Sequence, residues 1–368
     1  MSTNYVHKVK KGLHKVIYDK LYSNCSTFRK MHYEEVPDGY DYGYNGGHSY
    51  HQQHPQSDGH SSPSSEAVMI KIDVPVPLRD EQRFPKEVWK TVLALLLMAV
   101  NFILATVSLS IVHDHVPDRE SYGPLPDLVL DNIRPVEWAL DVSEVLIMIV
   151  VNSCVLLIAV HKHRFIVMRR VFLLMSILYF MRSITMYVTV LPVSSVTYYC
   201  SPRVNATERS FLLIMKRAFQ LISGFGLSIN GKHTYCGDYI YSGHTVTLVM
   251  GYLIIAEYSP KKFWIVHWIA WSASLTGIIM VLLAHGHYTI DVLIAYYVTT
   301  RLFWTYHTLA NNSLLLKQNG HNYIGREWWF FIFRYFEKNV RGPVPLQYNC
   351  PFPIPWTKKT PKLASRES

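Results

Sequence analysis

Six apolar runs, near residues 91–112, 139–160, 171–191, 240–256, 263–284 and 288–309, leave this chain few ways to fold. Each is roughly 20 residues long and, coiled as a helix, covers about the 30 Å of bilayer hydrocarbon. A helix satisfies its own backbone groups, which lipid cannot do for it. The runs therefore predict an all-α, polytopic membrane protein with six transmembrane helices, of which 240–256 is the shortest. The composition agrees: 49% hydrophobic against 17% charged residues excludes a wholly disordered chain and a collagen. Five cysteines are too few to staple a small fold.

The formal charge of +10 raises the question of nucleic acid, and the placement of the cations answers it. Arg79, Arg83, Lys86 and Lys90 precede the first run, Lys162, Arg164, Arg169 and Arg170 fill the second loop, and Lys261 and Lys262 the fourth. The tail adds Lys317, Arg326, Arg334, Lys338 and Arg341. Cations beside spans mark the cytosolic side, so membrane rather than nucleic acid is the expected partner, and both termini are expected in the cytosol. The third loop, about 192–239, goes against this pattern with Arg203, Arg209, Lys216, Arg217 and Lys232. It also holds the sequon at Asn205, together with Cys200 and Cys236, all suited to an oxidising exoplasmic side. The two cysteines are expected there as a disulfide or as two free thiols. The sequons at Asn24 and Asn311 would then go unused.

Three regions follow. Residues 1–84 form a cytosolic amino-terminal region without a signal-peptide pattern, so the first span itself is expected to direct insertion. Its stretch Glu34–Glu66 is rich in Gly, Tyr, His, Ser and Pro and reads as disordered. Residues 85–310 form the six-helix catalytic domain. Residues 311–368 form a cytosolic tail in which Arg326–Lys338, aromatic with charged ends, suits an interfacial helix. No retrieval signal closes the chain at KLASRES.

The chemistry concentrates where two of the helices begin. Cys236-Gly-Asp-Tyr-Ile-Tyr-Ser-Gly-His-Thr245 opens the fourth span, and His285-Gly-His-Tyr-Thr-Ile-Asp291 opens the sixth. With six spans, both openings lie on the exoplasmic face, so His244 and His287 sit at helix amino termini that can meet. His287 and Asp291, four apart, share a helix face, where the carboxylate can orient the ring and raise its basicity. Ser242 and Gly243 allow close backbone approach to a phosphate at a helix amino terminus. Two histidines, an orienting acid and an anion seat make a set for phosphoryl transfer that calls for no metal and no cofactor. The alternative for each residue alone is a snorkelling histidine or a satisfied helix acid, but ionisable groups inside spans are expensive and usually functional. Asp141 and Glu144 lie within the second span, and Arg182 in the third holds a phosphate or pairs with Glu144. Arg301, deep in the sixth, is expected to snorkel to the cytosolic side.

These strings resemble known motifs. SGHT followed by His-x-x-x-Asp resembles the second and third motifs of the lipid phosphate phosphatase superfamily, whose chemistry runs through a phosphohistidine. PLPD at 124–127, RSITMYVTVLP at 182–192, CGDYIYSGHTVTL at 236–248 and HYTIDVLIAYYVTTRLFWTYH at 287–307 closely resemble the four motifs of sphingomyelin synthases, over about residues 85–340. Two departures stand out. The phosphatase first motif is missing, because Asp127 lies seven before Arg134-Pro135, and no sterile alpha motif domain is apparent in the first 84 residues.

The resemblance implies transfer of phosphocholine from phosphatidylcholine to ceramide, giving sphingomyelin and diacylglycerol, in the Golgi or plasma membrane, with the site on the lumenal or extracellular side. A homo-oligomer is compatible with it. It assigns His287, oriented by Asp291, as nucleophile and His244 as acid and base. A trimethylammonium head calls for aromatic faces, for which Tyr239, Tyr241 and Tyr288 are candidates beside Arg182, Glu144, Ser242 and Gly243. The same residues fit a ceramide phosphoethanolamine synthase equally well, and a non-catalytic lipid transporter or ceramide sensor is the alternative from another class.

Overall fold

A computed structural model describes residues 84–195, 199–204, 210–224, 227, 235–312, 315, 323–340 and 342–349, all within one compact unit, Asp80–Ser368. The amino-terminal tail up to residue 83, the Asn24 and Asn205 sequons and Cys350, by sequence an acylation candidate or equally a plain free thiol, lie outside the described residues. Eight α-helices occur among them: α1 (Val88–His113), α2 (Trp138–Val160), α3 (Arg164–Val188), α4 (Phe211–Ser223), α5 (Gly243–Tyr258), α6 (Trp264–Leu283), α7 (Thr289–Asn311) and α8 (Phe330–Glu337). Among the described residues β-structure is confined to one isolated bridge, His161 with Tyr348.

Four helices, α1, α2, α3 and α6, are long and apolar enough to cross a membrane. The other two expected spans are also helices but differ from these in kind. α5 has 16 residues, and α7, with 23, carries Asp291, Arg301 and His307 among its threonines. α5 is apolar on every side, and its Val246, Leu248, Val249, Leu253 and Ile254 are all buried. Such a helix belongs in the centre of a fold. It is packed by α2, α6 and α7, while α1 lies along α3. Small residues permit the close approach. A Cβ on Gly277 of α6 would stand 2.6 Å from the Leu248 side chain of α5, and Gly251 of α5 meets Val150 of α2.

The arginines expected in the second loop are instead helical. α3 begins at Arg164, and Arg169 and Arg170 are buried within it. Arg170 donates to both carboxylate oxygens of Glu337 at 3.1 and 2.8 Å, and the Tyr306 hydroxyl adds a third bond to Glu337 at 3.0 Å. Arg169 donates to Glu87 at 3.0 Å. The pair with Glu337 draws α8 into the bundle: Phe330, Phe333 and Phe336 are buried in the main core, with Phe331 and Tyr335 left exposed. The aromatic tail segment is thus docked by one face rather than only lying on a surface.

The third loop contains the amphipathic helix α4, for which the sequence reading made no provision. Ser210 caps it by accepting the Leu213 N–H at 3.3 Å. Arg217 donates to both oxygens of Asp114 at 2.9 Å, and Arg203 donates to the Pro117 carbonyl at 2.9 Å. These partners absorb part of the positive charge that set this loop apart. A disulfide joins Cys200 to Cys236, with their Cα atoms 5.7 Å apart.

Candidate active site

The histidines are delivered by a segment with an unusual backbone. From Cys236 the chain passes Gly237 at φ +112° and Ile240 at φ +71°, then enters α5 at the Ser242 cap, whose hydroxyl accepts the Thr245 N–H at 3.3 Å. A positive φ on a β-branched residue is costly and persists only where neighbours impose it. Here Asp291 does so: its Oδ1 accepts the Ile240 N–H at 2.7 Å. Its Oδ2 accepts the Tyr288 N–H at 2.9 Å, satisfying one of the orphan donors at the start of α7. A single buried carboxylate therefore fastens the entry of α5 to the entry of α7.

Asp127, in the PLPD string, secures α7 from outside. It accepts the Thr289 N–H at 2.7 Å and hydroxyl at 2.8 Å, with the N–H groups of Val129 and Leu130 at 3.0 and 3.3 Å. Burial alone would raise its carboxyl, but these four donors hold it below the ordinary aspartate value. No expectation was attached to Asp127 beyond the motif, although an Asp that follows Pro-Leu-Pro is a sequence pattern suited to capping.

His244 and His287 come together at these two helix starts, their ring centroids 5.7 Å apart and their planes at 64°. Each ring has one carboxylate neighbour at the same distance. His287 Nδ1 is 3.7 Å from Asp291 Oδ2, and His244 Nε2 is 3.7 Å from Glu144 Oε1. At 3.7 Å these are ionic neighbours, not hydrogen bonds. Neither ring nitrogen has a hydrogen-bond partner among the described residues. The expected direct bond from the His287 ring to Asp291 is thus replaced by proximity, because the carboxylate oxygens are engaged by backbone N–H groups. His287 is 3% exposed, while the His244 side chain retains 16%.

Arg182 does not pair with Glu144. It donates to Asp238 and, at 3.0 Å, to the Tyr241 carbonyl. Its guanidinium lies over the first residue of α5, and a Cβ on Gly243 would stand 2.8 Å from its Cζ. Glycine at 243 is therefore required by the arginine, which stands with Ser242 and Gly243 where helix N–H groups point outward. Asp238, the partner that the sequence reading missed, keeps its other oxygen buried without a hydrogen bond.

The tyrosines separate. Tyr239 presents its ring to His287 at 6.3 Å and accepts the Ser194 N–H at 3.2 Å. Tyr288 lies tilted against Tyr239, ring centroids 5.5 Å apart, and its hydroxyl links the Leu125 N–H to the Pro192 carbonyl. Tyr241 packs in the main core instead. Arg301 lies against the rings of Tyr297 and Trp304, away from the histidines, and Asp141 is exposed.

Residues 235–308, which contain both histidine segments, match the PAP2 superfamily C-terminal family. The chain is 47% identical over 287 residues to phosphatidylcholine:ceramide cholinephosphotransferase 1 of Sus scrofa and of Homo sapiens, covering 78% of this chain and 68% of each relative. It is 45% identical over 284 residues to phosphatidylcholine:ceramide cholinephosphotransferase 2 of Mus musculus, covering 77% of both. Apolar helices of membrane length and these relatives together define a multi-pass membrane enzyme, a phosphotransferase. Within that class, the chain belongs to the sphingomyelin synthase family.

Proposed function

We propose that this enzyme transfers phosphocholine from phosphatidylcholine to the primary hydroxyl of ceramide, yielding sphingomyelin and diacylglycerol. The observation that carries the reading is the facing pair His244 and His287, 5.7 Å apart, each beside its own carboxylate. With Nδ1 of His287 turned to Asp291, Nε2 is the nucleophile. It bonds to phosphorus while the phosphorus–oxygen bond to diacylglycerol breaks, and His244 gives that oxygen a proton. Ceramide then takes the place of diacylglycerol. His244 removes its hydroxyl proton, the new oxygen–phosphorus bond forms and the Nε2–phosphorus bond breaks. Glu144, 3.7 Å from Nε2 of His244, is the carboxylate beside that ring, and Arg182 with the α5 amino terminus offers positive charge to the phosphate oxygens. Tyr239, beside His287, is the aromatic face available to the trimethylammonium head.

The topology proposed with this mechanism has six spans, α1, α2, α3, α5, α6 and α7, and cytosolic ends. Lys162 and Arg164 at the α2–α3 turn and Lys261 and Lys262 at the α5–α6 turn support it. The disulfide at the histidine end suits the oxidising lumen of the Golgi or the outer face of the plasma membrane.

The test uses purified full-length enzyme in phosphatidylcholine vesicles with fluorescent ceramide. His287→Ala is expected to lower turnover by about 10³-fold or more. Labelled donor without ceramide is expected to leave phosphocholine on the wild-type protein at His287. Near-normal turnover by His287→Ala would overturn the assignment, and equal use of phosphatidylethanolamine would change the head group.

A further inference from the structure

α6 and α7 both pack on α5 but scarcely on each other, and the space between them is a groove of about 520 Å³. Its floor is the α5 face Val249, Leu253 and Ala256, and its walls carry Trp271, Tyr296 and Trp304, each between 42% and 51% exposed. The volume is that of a site for one small ligand or lipid chain. It runs about 12 Å along α5 from Val249 to Glu257, away from the histidines. At the histidine end the Leu248 side chain is fully buried and pressed on Gly277, which closes the α5–α6 contact above the groove.

The far end is polar. Glu257, Thr308 and Asn311 line it, about 20 Å along α5 from His244. Glu257 is exposed and makes no ion pair or hydrogen bond among the described residues. His307 also borders the groove, but its ring nitrogens are engaged by the Tyr258 hydroxyl at 2.8 Å and the Phe303 carbonyl at 2.8 Å. No lysine or arginine lines the groove among the described residues.

We infer that this groove is a second lipid site, separate from the histidines, for a neutral lipid whose head group carries hydroxyl and amide groups, as ceramide does. The charge pattern selects the occupant. A carboxylate with no ion-pair partner among the described residues accepts hydrogen bonds from hydroxyl and N–H donors and repels a phosphate. The Asn311 side chain can donate to an amide carbonyl, and the groove takes a chain pointing toward the bilayer centre. The bound lipid therefore belongs to the leaflet opposite the histidines. The inference stands without the transfer mechanism, because it is read from binding alone.

The experiment reconstitutes the full chain in phosphatidylcholine vesicles with a trace of photoactivatable ceramide and locates the crosslinks by peptide mapping. Crosslinks are expected in Trp264–Leu283 and the second half of α7, and excess unlabelled ceramide is expected to suppress them. Ala256→Trp, which fills the floor, is expected to lower labelling by about tenfold or more by occupying the space, and Glu257→Leu, which removes the acceptor, by about tenfold, the worth of one charge-assisted hydrogen bond. Glu257→Leu is exposed at its position and decides the matter should Ala256→Trp fail to elute as a single species. Absence of groove crosslinks, unsaturable labelling, or equal labelling by photoactivatable phosphatidylcholine or diacylglycerol would overturn the site. Turnover is not the readout, so failure here is distinct from failure of the phosphocholine-transfer assignment.

Discussion

Asp127 accepts both the N–H and the hydroxyl of Thr289, so the loop between α1 and α2 caps the helix that carries Asp291 and begins just after His287. Asp127→Ala removes acceptors from four donors at once, and a loss of about 2 kcal/mol of stability is expected from the cap and its charged bonds. Asp127→Asn keeps one oxygen and should retain part of that. Thermal unfolding in detergent checks both, and an unchanged midpoint for Asp127→Ala would remove the capping role.

The same carboxyl carries a pH dependence. Its value is depressed in the folded protein, so its stabilisation is present above the unfolded value of about 4 and is lost as pH falls through the folded one. The difference in stability between wild type and Asp127→Ala is expected to narrow below that range. A constant gap between neutral and acid pH would contradict it.

Gly243 has no room for a methyl group, since Arg182 Cζ is 2.8 Å from where a Cβ would stand. Gly243→Ala is expected to displace the guanidinium from Asp238 and Tyr241 and to lower turnover by about tenfold or more, with a stability cost of about 1–3 kcal/mol. Parallel turnover and unfolding measurements separate the two effects. Wild-type turnover by Gly243→Ala would show that the arginine is not needed in its present place.

Arg170 and Glu337 are buried together, 1% and 0% exposed at the side chain. Removing one partner strands the other charge, so Glu337→Ala is expected to cost about 3–5 kcal/mol, whereas Arg170→Met with Glu337→Leu should recover most of it. Detergent unfolding of the single and double variants makes the comparison. A double variant no better than the single would show that the pair does more than compensate itself.

Cys200 and Cys236 close a loop of sequence separation 36, for which the chain-entropy account gives about 4 kcal/mol at most. Denatured, unreduced protein is expected to resist maleimide at both positions and to label at both after reduction. Labelling without reductant would refute the bond in the native protein.

The pairing of His244 with His287 was legible because both open helices in strings of recognisable chemistry, and helical spacing put Asp291 on the face of His287. What the spacing could not reveal was where the Asp291 oxygens go. They bond backbone N–H groups of Ile240 and Tyr288, and the first of these depends on a positive φ that no residue type announces. Arg182 could be placed in depth but not in partner, since Glu144 and Asp238 are equally near in any one-dimensional scheme and only packing over Gly243 separates them. The boundary of α3 was misjudged because buried Arg169 and Arg170 look like a cytosolic loop until Glu87 and Glu337, from distant segments, neutralise them. α4 was overlooked for a related reason: short amphipathic helices have no length signature.

A helix of 16 residues is about 24 Å long, whereas an undisturbed bilayer interior is about 30 Å thick. Set across the bilayer as in the proposed topology, α5 is too short to reach both water boundaries. With Glu257 placed at one boundary, that topology sets the His244 tip several ångströms beneath the opposite headgroup plane. A phospholipid reaching His244 would have to pull its phosphate down into that depth, where stray water is scarce and fixed dipoles stand in for lost hydration.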